Sequence, residues 1–190
     1  MNRFHRRYCR SDAWARRLDT ELLPWALEGV DVGGTVLEVG PGPGLTSARL
    51  SRRAGRYVAV EIDAALARIA AAAAPEGAPL HLVQGDATHL PLPDASIDLA
   101  VCFTMLHHVP SAAMQDALLA EVARVLRPGG VLAGSDSRSS LRFRLIHVGD
   151  TMNLVDPRSL PDRLTRAGLV PTRVDAARRA FRFSAHRPAA

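Results

Sequence analysis

Lysine is absent from this sequence, so all 24 of its Lys or Arg side chains are arginine. Only two cysteines are present, Cys9 and Cys102, which are too few for a disulfide framework. No apolar run is long enough to cross a bilayer, and the charged residues 1–7 have no apolar stretch behind them. These absences argue against a secreted, disulfide-linked protein and against a membrane protein, so a cytoplasmic location is expected.

Aromatic residues are also scarce, at 5% of the chain, although the formal net charge is +5. The arginines concentrate near the two ends of the sequence, at Arg3, Arg6, Arg7, Arg10, Arg16, Arg17, Arg173, Arg178, Arg179, Arg182 and Arg187. A basic surface attracts nucleic acid or anionic lipid, but base stacking needs aromatic side chains among the charges. The composition therefore favours solvated arginines over a nucleic-acid partner.

Apolar segments of strand length alternate with segments of helical periodicity along the 190 residues, which suits one α/β domain with a mainly parallel sheet. The predicted strands cover residues 35–39, 57–60, 80–84, 97–103, 131–135, 170–175 and 180–185. Several are unbroken apolar runs, as expected for strands covered on both faces. Because residues 176–179 are too few for a crossover helix, the last two strands are predicted to pair antiparallel.

Residues that begin and end helices lie between the predicted strands. Asp12, Asp63 and Ser111 are predicted N-caps, Asp63 for a helix over residues 64–74. Pro157 is predicted to open a later helix, and the Pro128-Gly129-Gly130 turn to end the helix that Ser111 begins.

A glycine-rich turn, Glu38-Val39-Gly40-Pro41-Gly42-Pro43-Gly44, joins the first strand to a helix. Glycines let the backbone approach a ligand closely, and a helix start offers unpaired N–H groups. The spacing differs from that of a dinucleotide site, because Leu45 stands where the third glycine would be. The Glu38 carboxylate would repel a pyrophosphate but would suit a cationic sulfonium and an amino group. A tight turn without a ligand is the alternative.

Two more acidic residues follow predicted strands, at the edge of the sheet where such folds bind ligands. Glu61 closes the second strand and could accept both ribose hydroxyls, with Ile62 against the adenine face. Asp86 closes the third strand and could accept the adenine amino group, while the Ala87 backbone N–H donates to the ring. The alternatives are a solvated carboxylate for Glu61 and a turn that bonds its own backbone for Asp86.

The motifs occur in a fixed order: Glu-x-Gly-x-Gly-x-Gly, Glu-Ile-Asp, Gly-Asp-Ala, Leu-Pro-Leu-Pro-Asp-Ala-Ser-Ile-Asp-Leu-Ala and Glu-Val-Ala-Arg-Val-Leu-Arg-Pro-Gly-Gly. This order resembles class I S-adenosylmethionine-dependent methyltransferases. It is most similar to the branch that includes the ubiquinone and menaquinone biosynthesis enzymes. The matching motifs span residues 36–130, about half of the chain. The resemblance implies a Rossmann-like domain whose seven-stranded sheet is mostly parallel, with the last strand antiparallel and helices on both faces.

The resemblance also implies the cofactor and the residues that hold it. S-adenosylmethionine would be bound and S-adenosylhomocysteine released. The implied cofactor residues are Glu38, Gly40, Gly42 and Gly44 around the methionine part, Glu61 and Ile62 at the ribose and adenine, Asp86 and Ala87 at the adenine edge, and Phe103 through its backbone.

Methyl transfer from a sulfonium is an in-line displacement, so the protein has mainly to position the acceptor and exclude water. A base is needed only where the acceptor loses a proton. The candidate base is His108 or His107, and the alternative is a histidine that only hydrogen-bonds the following loop. No metal site is expected, because adjacent residues rarely face the same ion.

The predicted division of the single domain is an N-terminal helical arm (residues 1–28), a cofactor-binding core (29–136), a substrate-side insertion (137–156) and a C-terminal helix with a strand pair (157–190). Acceptor choice is expected in residues 1–17 and 137–156. Tyr8, Trp14, Phe143, Ile146 and His147 are candidates to close over the cofactor or the acceptor, and the alternative for each is packing of a peripheral helix.

The predicted function is methylation of a small-molecule acceptor, with a homodimer possible. The alternatives are an RNA methyltransferase, a non-enzymatic S-adenosylmethionine-binding protein and a nicotinamide-dependent oxidoreductase. The last is disfavoured by Leu45 and Glu38.

Overall fold

The computed structural model describes residues 7–189, except for the side chains of Leu141, Arg142 and Ile146. The first six residues of the predicted arm, with Arg3 and Arg6, and the contact expected of Ile146 lie outside this description. No helix within residues 7–189 is both long and apolar enough to span a membrane.

The helices and strands alternate along the chain. The helices are α1 (Asp12–Arg17), α2 (Leu23–Ala26), α3 (Leu45–Leu50), α4 (Ala64–Ala72), α5 (Ala112–Val125), α6 (Leu141–Ile146) and α7 (Leu160–Arg166), with a π-helical turn at Leu18–Leu22 and a 3-10 turn at Leu106–His108. The strands are β1 (Thr35–Val39), β2 (Arg56–Glu61), β3 (Leu80–Gln84), β4 (Ile97–Phe103), β5 (Leu126–Ser137), β6 (Val170–Ala176) and β7 (Ala180–His186).

The strands form one seven-stranded sheet in the order β3-β2-β1-β4-β5-β7-β6. The pairs from β3 to β5 are parallel, whereas β7 runs antiparallel to both β5 and β6. The predicted fold, including the antiparallel last strand, is therefore confirmed. Since the strand order reverses between β1 and β4, the sheet opens a crevice at the carboxyl ends of these strands, where open α/β sheets bind ligands.

The central strands are buried because helices cover both faces of the sheet. Along β1, Val36 packs with the N-terminal helices, and its neighbour Leu37 packs against α5 on the opposite face. Leu118 and Val122 of α5 belong to the same apolar cluster as Leu37. Two-sided burial explains why these strands are nearly continuous apolar runs.

The N-caps predicted at Asp63 and Ser111 are confirmed, since the Asp63 carboxylate accepts from the N–H of Ala65 and the Ser111 hydroxyl from that of Met114. The cap predicted at Asp12 is wrong. The Ser11 hydroxyl accepts the Trp14 N–H instead, and Asp12 lies in the first turn.

Two other predicted boundaries are wrong. The helix predicted to open at Pro157 begins at Leu160. The helix begun by Ser111 ends at Val125, and Pro128-Gly129-Gly130 lies inside β5, where the pairing with β4 is irregular between Ile97 and Leu99. The proline and glycines therefore mark a strand irregularity, which sequence patterns do not separate from a helix stop.

The expectation of solvated arginines is wrong for two residues near the C-terminus. Arg182 donates to the Trp25 carbonyl at 2.6 Å and to the Glu28 carboxylate at 2.8 Å, and its side chain is only 13% exposed. Arg187 donates to the Arg124 and Leu126 carbonyls at 2.8 and 2.5 Å. Arg182 thus attaches the end of the N-terminal helices to β7.

Candidate active site

A cavity of about 360 Å³ opens at the carboxyl ends of the parallel strands, within the size range of small-ligand sites. Nine of the eleven predicted site residues line it: Glu38, Gly40, Gly42, Glu61, Ile62, Asp86, Ala87, Phe103 and His108. Gly44 and His107 are outside its lining. This space is called the cofactor cavity below.

The glycine turn is shaped by close contacts on one side and open space on the other. A Cβ on Gly40 would overlap the Met105 Cγ, and one on Gly44 would lie 2.8 Å from the Ala70 Cα. Gly44 therefore permits helix packing rather than facing the cavity. Gly42 has a φ of +57°, and a Cβ there would meet no protein atom within 4 Å. The open face of Gly42 leaves room for a ligand to lie against the backbone.

Glu61 connects the tip of β2 to the glycine turn. One carboxylate oxygen accepts the Gly42 N–H at 2.9 Å and the other accepts the Asp63 N–H at 3.0 Å. The residue is only 6% exposed. Because a carboxylate has about four acceptor positions, two remain for ligand hydroxyls after these bonds. Glu61 can therefore hold the turn and accept from a ribose.

Glu38 is buried at the base of the same cavity, with 2% exposure. Its carboxyl accepts hydrogen bonds from the Ser47 hydroxyl and, at 2.9 Å, from the Tyr57 hydroxyl. Burial raises the pKa of Glu38 to about 7, against the opposing effect of these two donors, and the negative charge of Glu61 adds to the rise. With a pKa near neutral pH, Glu38 can change its protonation state easily, and a cation in the cavity would favour its ionised form.

We expect the affinity for S-adenosylmethionine to rise by up to about tenfold between pH 6 and pH 8, because only the ionised form of Glu38 would attract a sulfonium in this cavity. The sign follows from the raised pKa: protonated Glu38 prevails below pH 7 and the carboxylate above it. Calorimetric titrations across this range measure the effect. Glu38→Gln should flatten the dependence, and an unchanged slope in that variant would contradict the assignment.

Asp86 forms a local turn by bonding the nearby backbone, which was the alternative to its predicted contact with adenine. Its Oδ1 accepts the backbone N–H of Thr88 at 2.8 Å and the Thr88 hydroxyl at 2.9 Å, and these bonds lower the pKa of Asp86. The residue also lines the cavity beside Ala87. Its ionised carboxylate has further acceptor capacity, so the turn and an adenine contact are compatible.

The residues present fit an adenosyl group with a cationic tail. Ile62 is 66% exposed at the cavity wall, where its apolar side chain is placed to pack on an adenine face. The carboxyl groups of Glu38 and Glu61 and the open face of Gly42 suit positive charge and hydroxyls. This donor set disfavours a pyrophosphate.

A second cavity, of about 480 Å³, adjoins the first and shares Cys9, Trp14 and Thr104 with it. Its other lining residues come mainly from the arm and from the segment after β5: Tyr8, Arg17, Leu22, His107, Ser137, Arg138, Ser139, Ser140, Phe143, His147, Arg178, Arg179 and Ala180. Tyr8, Trp14, Phe143 and His147, which were candidates to close over the site, all lie here. This space is called the second cavity below.

His107 is buried in the wall of the second cavity, with 1% exposure. Its Nδ1 lies 2.5 Å from Oδ1 of Asp136, and its backbone N–H donates to Oδ2 at 2.9 Å. The Ser137 N–H also donates to Oδ1, at 2.6 Å. Both Asp136 oxygens thus receive backbone N–H donors, and Nδ1 of His107 is placed to donate to Oδ1 as well.

Some residues of the site were missed by sequence reasoning. Asp136 lies near the carboxyl end of β5, so the strand-end rule that selected Glu61 and Asp86 could have found it. Thr104 lines both cavities with a positive φ of 50°, a strained backbone held by a bond from its N–H to the Ser135 carbonyl. No sequence signal marks that strain.

No metal site was expected because adjacent residues rarely face the same ion, but here the rings of the adjacent residues His107 and His108 lie close together. One nitrogen from each ring of His107, His108 and His147 lies within 4.8 Å of the other two. The 3-10 turn brings the two adjacent rings together, with centroids 4.2 Å apart, and His147, the C-cap residue of α6, lies beside them.

The order of the seven strands and the acidic cavity at their carboxyl ends define a class I S-adenosylmethionine-dependent methyltransferase fold. Residues 37–134, more than half of the 190, match a family described as a methyltransferase domain. The chain belongs to this family, whose cofactor is S-adenosylmethionine.

Individual proteins with similar sequences or structures agree with this family. An uncharacterized methyltransferase of Mycobacterium sp. (strain JLS) is 38% identical over 106 residues, which are 56% of this chain and 40% of the relative. The chain therefore matches well under half of that relative's length. A methyltransferase structure from Aquifex aeolicus has a TM-score of 0.78 at 19% identity, covering 98% of this chain and 99% of that one.

A further structure is a complex of the Haloferax volcanii Trm112 methyltransferase activator with a methyltransferase. The matching chain of that complex has a TM-score of 0.73 at 17% identity, and the match covers 99% of the present chain and 99% of that one. At these identities the two solved structures support the fold.

Proposed function

We propose that this protein transfers a methyl group from S-adenosylmethionine to a small anionic acceptor held in the second cavity. The observation that carries the proposal is the adjacency of the two cavities, which share Thr104 at their boundary. The cofactor cavity has the acidic and apolar groups that an adenosyl sulfonium requires. The second cavity, of about 480 Å³, has the size of a site for a small molecule.

The bound cofactor supplies an activated methyl group on a positively charged sulfur. The residues of the chain contribute position and exclusion of water. Glu61 and Asp86 would fix the ribose and adenine, and Glu38 would face the cationic end. Trp14 and Cys9 line both cavities and would cover their junction. Holding donor and acceptor in line is the largest contribution that such a site can make.

Arginine side chains favour an anionic acceptor. Arg17, Arg138, Arg178 and Arg179 line the second cavity, and a guanidinium binds carboxylate or phosphate through paired N–H donors. Arg17 Nε also lies 3.4 Å from Glu21 Oε2, and this exposed ion pair contributes little to folding stability. The resemblance to the ubiquinone and menaquinone branch is compatible with a small-molecule acceptor.

The test is methylation of fractionated extracts with S-adenosylmethionine labelled on its methyl group. Three pools are compared: the small metabolites retained by an anion exchanger, the unretained small metabolites, and total RNA. We expect label in the retained pool only. Glu61→Ala should abolish most of the labelling, whereas Glu76→Ala, an exposed glutamate outside both cavities, should leave it unchanged.

Label in RNA would contradict a small-molecule acceptor, and label in the unretained pool would contradict an anionic one. A protein that binds neither S-adenosylmethionine nor S-adenosylhomocysteine in calorimetry would contradict methyl transfer altogether.

A further inference from the structure

Three histidines meet beside the wall between the two cavities. His107 and His147 line the second cavity, and His108 lines the cofactor cavity. His107 and His147 are nearly buried, with 1% and 5% exposure. One ring nitrogen of each histidine lies within 4.8 Å of the corresponding nitrogens of the other two.

Hydrogen bonds to other groups determine which ring nitrogens carry protons. His147 Nδ1 lies 2.8 Å from the Phe143 carbonyl, which can only accept, so Nδ1 is the N–H of that ring. His107 Nδ1 donates to the Asp136 carboxylate at 2.5 Å. In the neutral form of each ring, therefore, Nε2 presents a lone pair.

The two Nε2 atoms of His107 and His147 lie 3.2 Å apart. Two lone pairs at this separation repel each other unless a proton or a cation lies between the nitrogens. Tetrahedral zinc with Zn–N bonds of about 2.0–2.1 Å places two imidazole nitrogens about 3.3–3.4 Å apart. The observed separation is close to this value without any movement of the two rings.

The surroundings of the pair resemble the outer shell of a metal site. Metal-binding histidines generally donate their other N–H to a carboxylate or a backbone carbonyl, as His107 does to Asp136 and His147 to Phe143. The buried Asp136 carboxylate offsets part of a cation's charge. The Phe143 ring packs on His147 with centroids 4.0 Å apart and meets His107 edge-on at 5.0 Å, so both rings are held in orientation.

We propose that His107, His108 and His147 bind a divalent transition-metal ion, with zinc the ion that the geometry favours. Imidazole is a preferred ligand of zinc, and three protein ligands leave a fourth position for water or substrate. For all three nitrogens to bind one ion, the His108 side chain must rotate, because its nitrogen lies within 4.8 Å of those of His107 and His147 but not at bonding separation. Asp136 and the Phe143 carbonyl act as positioning groups for the ligands. The proposal does not depend on the acceptor.

The test uses the full chain without a histidine tag, treated with a chelator and then dialysed. Zn²⁺ is titrated by calorimetry, and Co²⁺ is titrated while the visible absorption is recorded. We expect one ion per chain, with the intense bands of tetrahedral Co²⁺. Neither cofactor nor acceptor is added, so a failure here is distinct from a failure of methyl transfer.

His147→Ala and, separately, His108→Ala should each weaken Zn²⁺ binding at least about 100-fold, since a lost ligand should cost no less than a lost outer-shell partner. Asp136→Asn should weaken it by roughly 10- to 100-fold. His81→Ala, at an exposed position on β3, is the matched control and should bind like the original protein. Circular dichroism establishes that each variant is folded.

The proposal is overturned if the original protein takes up less than one equivalent of Zn²⁺, which is the outcome when a proton joins the two rings. It is also overturned if the bound Co²⁺ shows the weak bands of octahedral coordination. His108 is only half-buried, so His108→Ala should fold even if His147→Ala does not. Unchanged Zn²⁺ affinity in a folded His108→Ala variant would contradict His108 as a ligand and, with it, the three-histidine site.

Discussion

Replacing Glu61 by alanine is expected to weaken S-adenosylhomocysteine binding by about 1–3 kcal/mol, roughly 5- to 150-fold in Kd. The substitution removes the acceptor for the Gly42 and Asp63 N–H groups and the proposed acceptor for the ribose hydroxyls. The turn that faces the ligand is then no longer held to β2. Isothermal calorimetry with S-adenosylhomocysteine measures the loss.

The matched control is Glu76→Ala, which removes an exposed carboxylate outside both cavities and should leave the affinity unchanged. Glu61→Gln keeps the shape and one acceptor oxygen, so an intermediate loss is expected. If Glu61→Ala binds as tightly as the original protein, Glu61 is not part of the cofactor site.

Replacing Gly42 by alanine should reduce cofactor affinity to a similar extent, by about 1–3 kcal/mol, because the new methyl would occupy space that the ligand needs. In the ligand-free protein the methyl meets no atom within 4 Å, so packing is unaffected there. The remaining cost is the left-handed backbone at a φ of +57°, about 1–2 kcal/mol of folding stability.

Gly77→Ala separates these two effects. Gly77 also has a positive φ, of +72°, and no atom within 4 Å of its Cβ position, but it lies outside both cavities. Both variants should lose similar stability in thermal unfolding, and only Gly42→Ala should lose affinity for S-adenosylhomocysteine. Equal affinities for the two variants would show that the face of Gly42 does not meet the cofactor.

The strands and the cofactor residues could be predicted because their signals are local. β1, β3 and β4 have the predicted bounds, since each is a short segment in which apolar residues predominate. Eight of the nine predicted cofactor residues line the cofactor cavity because strand ends converge at one edge of a parallel sheet. Gly44 was the exception. Its glycine serves a contact with Ala70, which lies in a different helix.

The histidine cluster and the second cavity could not be predicted in the same way. His107 and His147 are 40 residues apart, and the Asp136 that orients His107 is 29 residues away from it. No periodicity links such positions, because their contact depends on how the segment after β5 folds back over the sheet. Sequence reasoning treated His107 and His108 as an adjacent pair and placed His147 separately among the covering residues.

The sequence alone determined that an acidic residue and three alternating glycines follow a buried strand, and that acidic residues close the next two strands. Those features need only the chain's own local geometry and the parallel sheet to produce a cofactor cavity. Tertiary structure decided which atoms are engaged: Glu61 holding Gly42, Glu38 buried against Tyr57, and two imidazoles facing each other at 3.2 Å. These contacts join segments distant in sequence, and packing fixes their distances.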